Sequence, residues 1–226
     1  MKEKNINIEQ KEEMVLVYND MLEPLGFSER GVANLNGLWH FCSQCWIIHP
    51  NKNSRGSIVY QKRSLNKSVA PGLLDVSASG HVTGNNNTID TAITEANEEL
   101  GVKIKKSDLI YAGKRIDMFK HNEVLSRIFA DVYFTIQNNN LSDYRIYSKE
   151  LSGLLEIPID EGIKLFTNKK SMIKCQTLMS DISDQKMVIN KTEVTKDMFI
   201  HRYDLYYLKV FLMAEKLLLG DKIIAI

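Results

Sequence analysis

Three glutamates close together in one predicted helix are the residues of this chain best suited to hold a metal ion. Glu95, Glu98 and Glu99 are spaced at i, i+3 and i+4, so a helix would place them on one surface. Carboxylates held this closely repel one another unless a cation lies between them. Mg²⁺ binds proteins through a few carboxylates, together with water and phosphate oxygens. The spacing therefore predicts either a magnesium site or an ordinary solvated acidic face.

The element that must carry these glutamates is a helix predicted over residues 88–100. Asn87 or Thr88 can cap its first N–H groups, and Gly101 stands where a helix ends in left-handed backbone. An apolar stripe at helical spacing is formed by Ile89, Ala92, Ile93, Ala96 and Leu100. We expect this stripe to pack on the core while the glutamates lie on the opposite face.

The rest of the chain alternates between strand-like and helical patterns. Strands are predicted at residues 45–48 and 57–61 as a hairpin, and at 73–77, 109–112 and 128–136. Helices are predicted at residues 161–166 and 203–219, and a loop containing Pro24, Gly26 and Gly31 precedes the first strands. This mixed order favours an α+β or an α/β/α layered domain over a purely parallel sheet.

Composition excludes several classes of protein. The chain has 226 residues, 44% of them hydrophobic, and a net charge of +1, so neither disorder nor bulk attraction to nucleic acid is indicated. Its 3 cysteines are too few for a disulfide framework. The N-terminus lacks the apolar core of a signal peptide, and no run approaches the ~20 apolar residues that span a bilayer. We expect a soluble cytoplasmic protein without a nucleic-acid or membrane partner.

The segment around the glutamates resembles the Nudix box, whose pattern is Gly, five residues, Glu, seven residues, Arg-Glu, an aliphatic, any residue, Glu-Glu, any residue, Gly and an aliphatic. The matching positions are Gly80, Glu95, Glu98, Glu99, Gly101 and Val102. Two positions depart, because Asn86 stands where the family has Glu and Thr94 where it has Arg. The resemblance implies a Nudix-type α/β/α sandwich with a mixed sheet, here with a C-terminal helical extension.

Further segments resemble the Nudix branch close to isopentenyl-diphosphate isomerase. They are Gly37-Leu38-Trp39-His40, Gln61-Lys62-Arg63-Ser64-Leu65-Asn66-Lys67, the run from Ala70-Pro71-Gly72 to Ser79-Gly80-His81, and Asn122-Glu123. The isomerases have a catalytic Cys where this chain has Ser79. Ala33 falls near a second metal-binding His of theirs, and His121-Asn122-Glu123 replaces their Glu-x-Glu pair. These departures disfavour isomerase activity.

The resemblance assigns roles to individual residues. Glu95, Glu98 and Glu99 would hold Mg²⁺, with Mn²⁺ as a substitute, and Glu98, Glu99 and Glu123 would serve catalysis. The substrate diphosphate would be bound by Arg63, Lys67, Gly80 and His81. The plainer alternatives are a solvated strand end for Arg63 and Lys67, a packed strand residue for His81 and a turn residue for Glu123. His40 fits a structural role more easily than a functional one.

The implied function is Mg²⁺-dependent hydrolysis of a nucleoside diphosphate linked to another group, X. A non-catalytic nucleotide-binding regulatory module on the same frame is the alternative, because Asn86 and Thr94 break the box pattern. Prenyl-diphosphate isomerisation is a third hypothesis, which Ser79 disfavours. We expect a small-molecule diphosphate as partner, and a homodimer is compatible with the apolar C-terminal helix. The expected organisation is an N-terminal extension at 1–36, a Nudix domain at 37–170 and a C-terminal extension at 171–226.

Two other motifs are interpreted as structural. Cys42 and Cys45 form a CxxC pair without a second pair, and residues three apart on a strand point to opposite faces, which disfavours zinc. An aromatic stripe could stack on bases, but its helical spacing favours core packing or a dimer contact; it consists of Tyr203, Tyr206, Tyr207 and Phe211. His201 and Arg202, which precede it, have no role that the sequence predicts.

Overall fold

The computed structural model describes residues 13–51, 55–67, 69–121, 124–146, 150–180 and 187–226. Within these ranges, 11 strands belong to one mixed sheet, and helices lie on both of its faces. The α+β class and the α/β/α sandwich with a C-terminal helix are therefore confirmed.

The strands are β1 (Met14–Tyr18), β2 (Pro24–Glu29), β3 (Trp39–His49), β4 (Ser57–Arg63), β5 (Leu74–Asp75), β6 (Ala78–His81), β7 (Ile110–His121), β8 (Val124–Ile136), β9 (Leu151–Pro158), β10 (Met172–Ser180) and β11 (Met187–Thr195). The helices are α1 (Arg30–Leu35), α2 (Thr88–Leu100), α3 (Ile159–Phe166) and α4 (Tyr206–Leu218). Helix α2 has the predicted boundaries, and the predicted hairpin corresponds to β3 and β4.

Strand β3 organises the sheet because it pairs with several partners along its length. It runs parallel to β8 from Trp39 to Ile48, and antiparallel to β6 and β4 on its other edge. The sheet continues from β4 through β9 and β10 to β11, and from β3 through β1 to β2. This arrangement brings β4, β5 and β6 together, and β6 packs against α2, with Gly80 next to Glu95.

The buried residues of β3 alternate between two cores. Cys45 and Ile47 pack with the apolar stripe of α2, whereas Trp46 and Ile48 pack with aromatic residues of α4 on the other face. This two-residue period is the direct signature of a strand covered on both faces. Gly162 of α3 allows a close approach of α4, since a Cβ there would lie 2.2 Å from Cζ of Phe211.

The structure corrects several local predictions. The expected loop around Pro24, Gly26 and Gly31 contains β2 and α1; proline and glycine are tolerated in β2 because it lies at a sheet edge, where one side of the backbone needs no ladder bonds. The C-terminal helix begins at Tyr206 rather than at residue 203. Strands β1, β6, β9, β10 and β11 were not predicted either.

The division into segments 1–36, 37–170 and 171–226 stays a prediction. Strands β1 and β2 from the first segment, and β10 and β11 from the last, extend the same sheet as the central strands. Among the described residues, no helix combines the length and apolar character needed to cross a membrane.

Candidate active site

Helix α2 presents two of its three glutamates, Glu95 and Glu98, on the face that the sequence predicts. The side chain of Asn87 accepts a hydrogen bond from Asp90 N at 2.9 Å, and Gly101 ends the helix with φ 69°. Ala92, Ala96 and Leu100 are buried against the sheet. The opposite side carries Glu95 and Glu98, while Glu99 lies at the margin of the core and is only 6% exposed.

Gly80 of β6 lies directly against Glu95. A Cβ built on Gly80 would lie 1.9 Å from Glu95 Oε1 and 2.3 Å from its Cδ, distances that real Cβ atoms do not show. The glycine is therefore required by the close approach of a strand backbone to a carboxylate. This contact explains why the box pattern needs glycine at this position, and it fixes Glu95 between α2 and β6.

The carboxylates of α2 are electrostatically unsatisfied. Burial, with Glu98 as the next largest influence, raises the pKa of Glu95 to about 7. Burial, reinforced by Glu95, raises the pKa of Glu99 to about 8. Glu99 Oε2 is buried and has no hydrogen-bond partner. A buried carboxylate oxygen without a partner is costly, so a ligand that supplies positive charge would relieve it.

These residues fit a hard divalent cation in kind and in placement. Carboxylate oxygens are the donors that Mg²⁺ prefers, and an unpartnered oxygen of Glu99 is available to it. Across the described ranges, no three Asp, Glu, His or Cys side chains already converge on a single point. The side chains of Glu95, Glu98 and Glu99 would therefore adjust their rotamers on binding an ion.

A cavity of about 440 Å³ brings the acidic and basic candidates together. It is lined by Glu13, Arg30, Gln61, Arg63, Lys67, Ser79, Gly80, His81, Glu95, Glu98, Glu99 and Glu150. The predicted residues Arg63, Lys67, Gly80 and His81 thus face the glutamates of α2. Cavities of this size accommodate small-molecule ligands.

The two basic candidates are anchored differently. Arg63 donates to the carbonyl oxygen of Val69 from Nε at 3.2 Å and from Nη2 at 3.0 Å, and its Nη1 lies 3.3 Å from Asp75 Oδ2. Lys67 Nζ lies 2.6 Å from Glu150 Oε2. Arg63 is therefore held rigidly at the end of β4, whereas Lys67 is held by one ion pair at the cavity mouth.

His81 faces the cavity and His40 supports it. Burial lowers the pKa of His81 well below its usual value, and Arg30 Nη1 donates to His81 Nδ1 at 3.4 Å. The rings of His40 and His81 lie 5.1 Å apart. His40 is fully buried and donates from Nδ1 to the carbonyl oxygen of Leu38 at 3.0 Å. Two neutral imidazoles thus pack together, and His40 has the structural placement that the sequence favours.

A second cavity of about 550 Å³ adjoins the first and shares Arg63, Lys67 and His81 with it. Its remaining lining includes Asp75, Asp117 and Arg202, which are buried and ion-paired. These residues, and also Glu13, Arg30 and Glu150, were not predicted as site residues from the sequence. Asp75 lies within a segment that resembles the isomerase branch, so that resemblance could have pointed to it. No sequence signal identifies Arg202.

The other predicted residues lie outside the two cavities or outside the described ranges, except Cys42, which lines the second cavity. Glu123 lies outside the described residues. Asn86 and Thr94, which break the box pattern, are both exposed. Cys42 and Cys45 are buried free thiols, and burial raises the pKa of Cys45 to about 12, which removes thiolate character at neutral pH.

The aromatic stripe belongs to the core, as its spacing favours. Tyr206, Tyr207 and Phe211 are buried between α4 and the sheet, and only Tyr203, 84% exposed, is accessible. Trp46 Nε1 donates to Tyr206 OH at 2.9 Å. These buried aromatic residues therefore pack in the core and are not accessible for stacking on bases.

Comparisons with known proteins relate this chain to one group. No family model matches it. An uncharacterised Nudix hydrolase of Clostridium acetobutylicum is 26% identical over 197 residues, which are 87% of this chain and 94% of that protein. An Arabidopsis thaliana protein named Nudix hydrolase 3 is 26% identical over 144 residues, which are 62% of this chain but only 18% of that protein.

An isopentenyl-diphosphate Δ-isomerase of Salmonella paratyphi B is 31% identical over 101 residues, which are 44% of this chain and 54% of the isomerase. The crystal structure of a Deinococcus radiodurans protein superimposes with a TM-score of 0.50 at 21% identity, covering 70% of this chain and 91% of that chain. The structural likeness supports the fold, and the sequence matches are to Nudix hydrolases and to the isomerase branch.

Proposed function

Since this chain belongs to the Nudix hydrolase superfamily, in the branch that resembles isopentenyl-diphosphate isomerase, we propose that it hydrolyses the diphosphate linkage of a nucleoside diphosphate joined to a second group, X. One observation carries the proposal. The unpartnered Oε2 of Glu99 and the basic groups of Arg63 and Lys67 face one cavity, where a cation would pair with the first and a diphosphate with the others.

Glu95, Glu98 and Glu99 would hold the divalent ion, Mg²⁺ or in its place Mn²⁺. When bound, the ion would neutralise charge on the phosphoryl oxygens and lower the pKa of a water molecule. The hydrolysis itself breaks one P–O bond of the bridge while a water oxygen forms the new bond to phosphorus. Phosphoryl transfer of this kind depends on positioning and on charge neutralisation more than on covalent catalysis.

The chain's own residues would position the diphosphate. Arg63 is anchored at Val69 and Asp75 and presents its guanidinium to the cavity, where planar donors suit phosphate oxygens. Lys67 supplies a point charge at the mouth. Because Gly80 has no side chain, the backbone of β6 would come close to the diphosphate. Neutral His81 would donate a hydrogen bond to the diphosphate from one ring nitrogen. Glu123 remains the candidate for an additional base or metal ligand.

A substrate panel tests this proposal. Phosphate-containing products should be released from at least one nucleoside diphosphate-X compound in the presence of Mg²⁺ and not after chelation. Glu98→Gln should abolish this release while circular dichroism shows an intact fold. Release that persists in Glu98→Gln would contradict the metal assignment.

The regulatory alternative rests on Asn86 and Thr94, which replace the Glu and Arg of the box. Thr94 is exposed on α2 and has no guanidinium to orient the glutamates, so slower catalysis is expected rather than none. Tight binding of one panel member without any turnover would favour this alternative.

Prenyl-diphosphate isomerisation fits the lining of the second cavity poorly. Ser79 replaces the catalytic Cys of the isomerases, and a hydrocarbon chain in that cavity would lie against the charged groups of Asp75, Asp117 and Arg202. A cytoplasmic location and a homodimer stay predictions.

A further inference from the structure

Six side chains of alternating charge connect the cavity floor to the segment before α4. In order of contact they are Arg63, Asp75, Arg202, Asp117, Arg115 and Asp204. The chain of contacts is electrically balanced. It begins at the arginine proposed to bind the diphosphate and ends outside the Nudix-like core, at residues to which the sequence assigned no role.

Arg202 occupies the centre of this network. Its Nη2 lies 3.0 Å from Asp75 Oδ1, and its Nη1 donates to Asp117 Oδ2. Its position is set by the backbone, because Ile200 N donates to the carbonyl oxygen of Leu74 at 3.1 Å and so holds this segment against β5. The guanidinium fork thus bridges two buried aspartates that come from β5 and β7.

The carboxylate of Asp75 has two arginine partners, and its Oδ1 also accepts a hydrogen bond from Val76 N at 2.9 Å. Oδ1 faces Arg202, and Oδ2 faces Arg63 Nη1 at 3.3 Å, which is long for a charged hydrogen bond. If Arg202 were absent, Asp75 would have Arg63 as its only arginine partner among the contacts described. The pair would tighten, and less of the positive charge of Arg63 would be available to a phosphate.

We infer that Arg202 is a positioning residue that keeps Arg63 available to the diphosphate by sharing Asp75 with it. This inference rests on the proposed function, since it takes Arg63 as a diphosphate ligand. It assigns a role in substrate binding to the C-terminal segment.

Arg115 provides a matched control. Arg115 and Arg202 have the same side-chain exposure of 9%, and both contact Asp117 Oδ2. Only Arg202 also contacts Asp75, whereas the second partner of Arg115 is Asp204. Removing either arginine deletes one positive charge from the same network. The guanidinium of Arg115 also lies 3.9 Å from the centroid of the Tyr206 ring, so double variants at Asp75 and Asp117 are needed to assign the difference to the link through Asp75.

The probe is methylenediphosphonate, a diphosphate analogue that cannot be hydrolysed at its bridge, with its Kd measured by calorimetry in the presence of Mg²⁺. Arg202→Met should weaken binding about tenfold, and Arg115→Met by less than about twofold. Arg202→Lys, which keeps the charge beside Asp75, should recover part of the loss. If Arg202→Met does not fold, Arg202→Lys against Arg115→Lys carries the same comparison, with the weaker binding again expected at position 202.

Two double variants of equal net charge locate the effect. Arg202→Met with Asp75→Asn should restore binding, because the carboxylate that captures Arg63 is removed while the two hydrogen bonds to the carbonyl oxygen of Val69 still anchor its guanidinium. Arg202→Met with Asp117→Asn restores the charge balance but leaves Asp75 in place, so it should recover less. Three results would overturn the inference. Binding could recover equally in both double variants, or Arg115→Met and Arg202→Met could weaken binding equally. The third is a wild-type protein that does not bind the analogue.

This binding measurement is independent of turnover. A wild-type protein that hydrolyses no substrate but binds methylenediphosphonate through Arg63 and Arg202 would contradict the proposed activity and support the role of Arg202. A wild-type protein that hydrolyses a substrate, with Kd and KM values that Arg202→Met leaves unchanged, would support the proposed activity and contradict the role of Arg202.

Discussion

Two charged regions lie beside the same cavities and are built in opposite ways. On α2, Glu95, Glu98 and Glu99 place like charges next to one another. Below the second cavity, the network centred on Arg202 alternates positive and negative groups. Glu99 Oε2 lacks a partner, whereas both oxygens of Asp75 accept from donors of the protein itself.

The difference separates a region that needs a ligand from one that does not. Burying a carboxylate without a counter-charge is costly, so the α2 face is stable only with bound protons or cations. The arginines and aspartates of the alternating network pair their charges with one another, although Nε and Nη1 of Arg115 and Nε of Arg202 have no hydrogen-bond partner. The network therefore needs no added cation, and its contribution is to fix geometry. The same type of residue, a buried acid, thus has a binding role on α2 and a structural or positioning role below the cavity.

Among the substitutions that compare the two regions, the largest expected effect is at Glu99. Glu99→Gln should lower Mg²⁺-dependent kcat/KM by about 10²–10³-fold, because a ligand of the charge-neutralising ion is lost. Metal-free stability should stay equal or rise, since a buried carboxylate that repels Glu95 is removed. Steady-state kinetics and thermal unfolding in EDTA measure both.

The control on the same helix is Asp90→Asn, an exposed acid whose partner is Asn87. Its kcat/KM should stay within about twofold of wild type. If Glu99→Gln instead unfolds at a lower temperature than wild type in EDTA, the Glu99 carboxylate stabilises the metal-free fold. The two regions would then not differ in the way proposed.

The second prediction concerns the alternating network, where removing a buried acid should lower stability. Asp117→Asn removes one charge from the alternating network and leaves Arg115 and Arg202 short of a counter-charge. Breaking a buried ion pair from one side costs about 3–5 kcal/mol, so the free energy of unfolding should fall by roughly that amount. Urea denaturation with an unchanged m-value would measure it. A loss below about 1 kcal/mol would mean that the network is not a structural unit.

The third prediction concerns the backbone under α2. Gly80→Ala places a Cβ where Glu95 lies, and a displacement of about 1 Å can cost 10²-fold in rate, so kcat should fall about 10- to 100-fold. Gly31→Ala is the control, because a Cβ there meets nothing within 4 Å. Mg²⁺ titration of both variants would show whether the loss arises at Glu95. Equal activity in both would place Glu95 outside the ion site.

The sequence predicts the α2 region well because its signals are local. Asn87, Gly101 and the apolar stripe define a helix within one short segment, and the spacing of Glu95, Glu98 and Glu99 follows from it. The alternating network has no such signal, since Asp75 and Arg202 lie 127 positions apart and meet only after the sheet forms. Strand β11 was missed for a related reason: most of its residues are exposed, so no clear alternation marks it.

The smallest expected effect is at Lys67, which stands between the two regions. Its ion pair with Glu150 lies at the cavity mouth, where such pairs contribute only about 0–1 kcal/mol to stability, so Lys67→Met should barely change the melting temperature. If Lys67 binds the diphosphate, KM of Lys67→Met should rise about 3- to 10-fold with kcat nearly unchanged. The reason is that the lost charge binds the ground state and the transition state equally. Lys174→Met, at an exposed pair with Glu193, should change neither quantity. An unchanged KM in Lys67→Met would place Lys67 with the self-satisfied pairs and leave diphosphate binding to Arg63.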